Sequence, residues 1–266
     1  MADDVDRVPV AKLAVKTPGF PDHREVEYRR ALTRRVRMIS KLTEKAIAAA
    51  LEMLGPDIDE RARQDASEGQ TISDLIRVVQ FIQLSAAVIE PVPLDPLIAQ
   101  AAAVDRFSTL YLDKEVKTVI GIAIPSPEDA AALYLQFAEE QREQIKNIDD
   151  KYFEGVNDLV REAVSEGKST RDLAAALQQQ AAISKSHAQF VARNSIGTLN
   201  GLITEKRQTD LGITQYKWRT SQDVRVRPEH VEREGVTFDW SDPPEGGPPG
   251  FDFNCRCTAE PVLPER

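Results

Sequence analysis

Apolar positions recur every three or four residues through most of the first 210 positions, which is the signature of helices burying one face. From Asp22 to Leu54 the stripe runs Leu32, Val36, Ile39, Leu42, Ala46, Ala50 and Leu54, and Gly55-Pro56 supplies a stop. A second helix is predicted over Thr71 to Glu90, with Leu75, Val78, Val79, Ile82, Ala86 and Ile89 inward, before Pro91, Pro93 and Pro96 interrupt the chain. An Ala-rich third helix is expected from about Pro96 to Ile120. The fourth opens at Pro125-Ser126-Pro127, where Ser126 is placed to cap Asp129 and Pro127 suits the first helical position. It runs towards Glu166 with a kink or break expected near Asn147 to Asp150, and Gly167 closes it. Ser169-Thr170 then cap a short helix, Arg171 to Gln180, followed by a longer one from about Lys185 to Asp210 that ends at Leu211-Gly212.

Beyond Ile213 the period changes to two, with Thr214, Tyr216 and Trp218 alternating against Ile213, Gln215 and Lys217. Short strands at about Val236 to Trp240 and Phe253 to Ala259 complete a small antiparallel sheet. The fold class that follows is α+β: a mainly helical N-terminal region, then a small α+β module. The expected division is a mobile N-terminal arm over residues 1–21, a helical bundle over 22–166 and a C-terminal module over 167–266. The aromatic residues Tyr216, Trp218, Phe238, Trp240, Phe251 and Phe253 are assigned to the core of that module, and Pro243 to Gly250 reads as a stiff surface turn.

Composition changes this picture in two respects. With 43 acidic against 34 basic residues the formal charge is −9, which disfavours a duplex-DNA binder held on by phosphate neutralisation. The helix pair after Gly167 has the order of a helix-turn-helix reader, but no basic recognition face dominates it. Arg29, Arg30, Arg34, Arg35, Arg37 and Lys41 crowd the first helix and read as a solvated face paired with nearby Glu. No N-terminal apolar h-region or apolar run near 18 residues is found, so the expectation is a chain made in the cytoplasm without a membrane span.

The chemistry is concentrated between Tyr216 and Pro261, which hold both Trp, both Cys and His230, one of three His. In order this stretch carries Trp218, Thr220, Asp223, Arg225, Val226, Arg227, His230 and Gly235, then the Pro/Gly loop, then Asn254-Cys255-Arg256-Cys257. Two cysteines one residue apart in a strand have Cα atoms about 7 Å apart, too far for a mutual bridge, so reduced thiols are expected. In a strand they also share one face, while Arg256 takes the other. With His230 they offer three zinc ligands, and Asp223 would have to serve as the fourth. A metal-free buried cluster, with His230 hydrogen-bonded to Asp223 or a backbone carbonyl, accounts for the same residues and is the expectation preferred here. Arg225, Arg227 and Arg256 are expected to pair with Asp223, Asp239 or Asp242 and so clasp the loops.

The order and spacing of these residues resemble the phage Mu F-like head morphogenesis family, the minor head proteins of tailed phages, over about residues 165 to 262. The helical lead-in from Ser184 has the same look, although the chain reads Ala192-Arg193-Asn194-Ser195 where many members carry an acidic residue. The resemblance implies a protein made in the host cytoplasm, associated with the portal protein and with other head or scaffold proteins. It also implies packaging inside the procapsid at the portal vertex, a role in head assembly or DNA ejection, contact with packaged DNA and no turnover. A metal-dependent hydrolase or nuclease delivered with the genome is the first alternative. A nucleic-acid-binding adaptor is the second.

Overall fold

The computed structural model describes residues 19–54, 65–89, 92–119 and 130–263. Most of the expected arm, the stop at Gly55-Pro56 and the cap at Ser126-Pro127 lie outside them. Among the described residues five long helices come first: α1 (Asp22–Leu54), α2 (Asp65–Ile89), α3 (Leu94–Val119), α4 (Ala130–Ser165) and α5 (Thr170–Asp210). Then follow β1 (Gln215–Arg219), the short α6 (Pro228–Glu232), β2 (Thr237–Asp239) and β3 (Thr258–Pro261). The architecture is α+β, as the periodicities predict. No helix among the described residues is long and apolar enough to cross a membrane.

The helices bury two adjoining cores. In one, Tyr28, Leu32 and Val36 of α1 meet Leu97, Ala101 and Val104 of α3, Phe137 and Ile145 of α4, and Val191, Ile196 and Leu199 of α5. In the other, Ile39 and Ile47 of α1 pack with Leu75, Val79 and Ile82 of α2, Phe153, Val156 and Val160 of α4, and Leu173 and Leu177 of α5. The stripes read from sequence are thus the faces that pack, although Leu42 is exposed. Helix α5 is common to both cores.

Two expected breaks are absent. Helix α4 continues through Asn147 to Asp150 because Ile145, Ile148 and Tyr152 keep its buried stripe in phase. Asp149 is held there by Arg35 of α1, whose Nη2 lies 2.7 Å from the carboxylate. This removes Arg35 from the solvated basic face to which periodicity assigned it. The two helices expected after Gly167 are one 41-residue helix, about 60 Å long at 1.5 Å per residue. Ala181 to Ser184 contain no breaker, and Ser184 and Ala188 continue the stripe begun by Leu173 and Leu177. Its N-cap is Ser169, whose hydroxyl accepts the Asp172 N–H as expected. At the other end Gly212 takes φ +72°, after which the chain turns into the sheet.

The sheet order is β2-β1-β3, both pairs antiparallel, with Tyr216 opposite Phe238 and Trp218 opposite Ala259. Alternation along β1 turns Tyr216 and Trp218 inward, where they form a third core with Trp240, Cys255, Cys257 and Ala259. The third strand begins later than expected, so both cysteines precede it. Phe253, expected inside, is exposed. The Pro/Gly turn departs from its surface assignment at one end: Pro248, Pro249 and Gly250 are buried.

Candidate functional site

Each motif residue has a local reason for its place. Trp218 lies on the inward side of β1. Gln222 turns the chain with φ 54°, after which the Arg225 N–H donates to the Asp223 carboxylate at 2.9 Å. Arg227 is the N-cap of α6, followed by Pro228 at the first helical position, and this one-and-a-half-turn helix exists to bury His230. Gly235 takes φ +75°, a conformation open to glycine, and its N–H donates to Trp218 O at 2.9 Å. The loop 220–236 is thereby folded back against β1.

The second half of the motif is held from α5. Asn254 adopts φ 54°, and its N–H donates to Asn194 Oδ1 at 3.1 Å. Asn194 lies in the run Ala192 to Ser195 of α5, and its amide oxygen serves as the acceptor. The chain then delivers Cys255 and Cys257 to one place without a strand pleat. Both are free and buried.

His230, Cys255 and Cys257 converge. His230 Nδ1 lies 3.7 Å from Cys255 Sγ and 3.6 Å from Cys257 Sγ. The other ring nitrogen, Nε2, is 3.4 Å from the Asp252 carboxylate. Trp218 meets the imidazole edge-on at a centroid distance of 5.1 Å, and the Arg233 guanidinium lies over the Trp218 ring. The thiols are coupled. Their mutual hydrogen bond, against burial and with help from the N–H groups of Gly250 and Cys257 and from His230, brings Cys255 down to about 6. The same hydrogen bond and burial push Cys257 up, opposed by the Trp218 indole and the Ser221 N–H.

The expected contact between His230 and Asp223 is not made. Asp223 pairs with Arg256 and with Arg225, while Arg227 joins Asp252 at 3.1 Å and donates to Phe253 O at 2.7 Å. Asp239 accepts from Ser241. The clasp therefore forms, with Asp252 taking the place that sequence reasoning gave to Asp223. A cleft opens over the cluster, lined by Arg193, Arg225, Arg227, Phe253 and Arg256 with the imidazole and both sulfurs. Arg193 on α5 is a further guanidinium that the motif did not include.

Sequence reasoning also missed how the module is seated. A Cβ on Gly201 would lie 2.7 Å from Pro249 O, one on Gly197 2.9 Å from Cys255 O, and one on Gly250 2.6 Å from Gly197 O. The backbone of 249–255 thus lies directly on the α5 backbone, with the Thr198 hydroxyl donating to Gly250 O at 3.3 Å. The Gly-x-x-x-Gly spacing at 197 and 201 was a legible signal of such an approach.

A long helix carrying a three-stranded sheet, with a His/Cys cluster between loops, defines a small α+β module. Residues 154–260 match the family described as Phage Mu protein F like protein, so this segment carries the family pattern read between Trp218 and Cys257. A protein from Haemophilus influenzae, described as an uncharacterized protein, is 38% identical over 120 residues, which cover 45% of this chain and 27% of that protein. The match thus spans about a quarter of that relative's length. No solved structure matches.

Proposed function

We propose that this protein is a phage minor head protein acting in head morphogenesis. The observation that carries the reading is the family match over residues 154–260, which covers the whole motif from Trp218 to Cys257. In this reading the protein is made in the host cytoplasm, associates with the portal and with other head or scaffold proteins, and is packaged inside the procapsid at the portal vertex. There it serves head assembly or DNA ejection as an interaction protein. Its long amphipathic helices supply surface for such partners, and the guanidiniums of Arg193, Arg225, Arg227 and Arg256 supply a place for contact with packaged DNA. The net charge of −9 argues against a protein whose main task is binding nucleic acid. The division into an arm over 1–21, a bundle over 22–166 and a module over 167–266 belongs to the same proposal.

The test is co-expression of the full chain with the portal and scaffold proteins of one phage, followed by purification of the portal and of assembled heads. Co-purification with both supports the reading, and absence from both sinks it. The convergence of His230, Cys255 and Cys257 under a cleft favours one competing reading, a metal-dependent hydrolase or nuclease. That reading wins if the purified chain cleaves DNA in the presence of a divalent metal and His230→Ala loses the cleavage with an unchanged melting curve.

A further inference from the structure

We propose that His230 Nδ1, Cys255 Sγ and Cys257 Sγ hold a zinc ion, with its fourth position open to the arginine-lined cleft. The site goes beyond the head-protein reading and stands whether or not that reading holds.

Distances come first. Zinc–sulfur bonds of about 2.3 Å and zinc–imidazole bonds of about 2.0–2.1 Å, meeting near the tetrahedral angle, put sulfur and nitrogen about 3.5 Å apart. The two sulfur–nitrogen separations here are 3.7 and 3.6 Å, and all three donor atoms lie within 4.8 Å of one another. Two edges of a metal tetrahedron are thus already laid out.

Hydrogen bonding alone does not account for that arrangement. Nδ1 has a single proton or a single lone pair, so it makes one good hydrogen bond, yet it sits nearly equidistant from two sulfurs. With the Asp252 carboxylate 3.4 Å from Nε2, the tautomer that carries its proton on Nε2 leaves the Nδ1 lone pair facing the thiols. A carboxylate behind the imidazole is the outer support that metal-bound histidines carry, fixing tautomer and ring orientation.

The sulfurs are furnished in the same sense. The N–H groups of Gly250 and Cys257 face Cys255, and the Ser221 N–H faces Cys257. The buried Trp218 indole N–H has no partner of full hydrogen-bond geometry, and the polar atom it faces is the Cys257 sulfur. A zinc ion binding here would displace the thiol protons, and the donors around the two sulfurs would then support the thiolates. Soft sulfur and imidazole ligands select zinc over magnesium or calcium. Asp223, committed to Arg256 and Arg225, does not supply a fourth ligand. Three protein ligands with water in the fourth position are a recognised zinc arrangement, so no fourth side chain is required.

The experiment is elemental analysis of the tag-free, full-length chain purified under reducing conditions without added metal, with cobalt(II) added to the chelator-treated chain. Near-stoichiometric zinc, lost in Cys255→Ser and in Cys257→Ser, together with a cobalt thiolate charge-transfer band, is the expected result. Asp252→Asn, which keeps every ligand, should weaken zinc affinity by about 10–100-fold. Should the serine variants not fold, the cobalt spectrum of the natural chain decides alone. Only trace zinc and no charge-transfer band overturns the proposal, as does zinc retained in both serine variants.

Discussion

Gln208 Oε1 accepts the indole N–H of Trp240 at 3.1 Å, while its Nε2 donates to Ala259 O at 2.9 Å. One fully buried amide on α5 thus satisfies an aromatic residue just beyond β2 and a carbonyl of β3. It is the polar counterpart of the glycine contacts two turns earlier on the same helix, and between them they fix both edges of the sheet to α5. Helix α5 in turn belongs to both helical cores.

Replacing Gln208 with Met keeps the volume and removes both hydrogen bonds. Each of the two buried groups left without a partner costs about 1–3 kcal/mol, so the variant should lose about 2–6 kcal/mol. Urea unfolding of the two chains gives the difference. A loss under about 0.5 kcal/mol would mean that water reaches Trp240 and Ala259 instead.

Gly197→Ala and Gly201→Ala should each destabilise the chain, although alanine is favoured over glycine in a helix interior by about 1 kcal/mol. The obstacle in both cases is a backbone carbonyl at under 3 Å, which cannot swing away. Gly155→Ala on α4 provides the contrast, since the atoms its Cβ would meet belong to the end of the Gln180 side chain. Thermal melts should fall for the first two variants and hold or rise for the third. A rise in all three would show that the loop 249–255 is not seated on α5 as described.

Much of this was legible in the sequence because it is periodic or local. The stripes of α1 and α2, the Ser169 cap, the Gly167 and Gly212 stops and the inward Tyr216 and Trp218 follow from spacing and local signals alone. What failed depended on partners distant in the chain. Arg35 looked solvated because Asp149 stands more than a hundred positions away. Asp223 looked like the partner of His230 because the closure of the 243–254 loop, which brings Asp252 there, leaves no periodic trace. The break expected between Gln180 and Lys185 does not occur, because Ala181 to Ser184 hold no helix breaker and Ser184 and Ala188 keep the buried stripe in phase.

The last prediction concerns acid. Asp105 on α3 meets Arg207 on α5 through paired hydrogen bonds of 2.6 and 2.7 Å and also accepts from the Tyr134 hydroxyl of α4, tying three helices at a point where its side chain and that of Arg207 are 6% and 4% exposed. Burial on its own would raise the carboxyl, but the hydrogen bonds from Arg207 and Tyr134 outweigh it and hold Asp105 below the usual carboxylate range. A lowered value in the folded chain means that the unfolded chain takes up the proton first, so the contribution is fully present above about pH 4 and is lost as the pH falls through the lowered value. Asp105→Asn leaves the Arg207 charge buried without its counter-ion and should cost about 3–5 kcal/mol at neutral pH. Urea midpoints of the natural chain and the variant, followed from neutral pH down into the acid range, should converge below about pH 4 as the natural chain loses the same interaction. A gap that stays constant across that range would mean that Asp105 does not titrate in the folded protein and that the triad acts by shape alone.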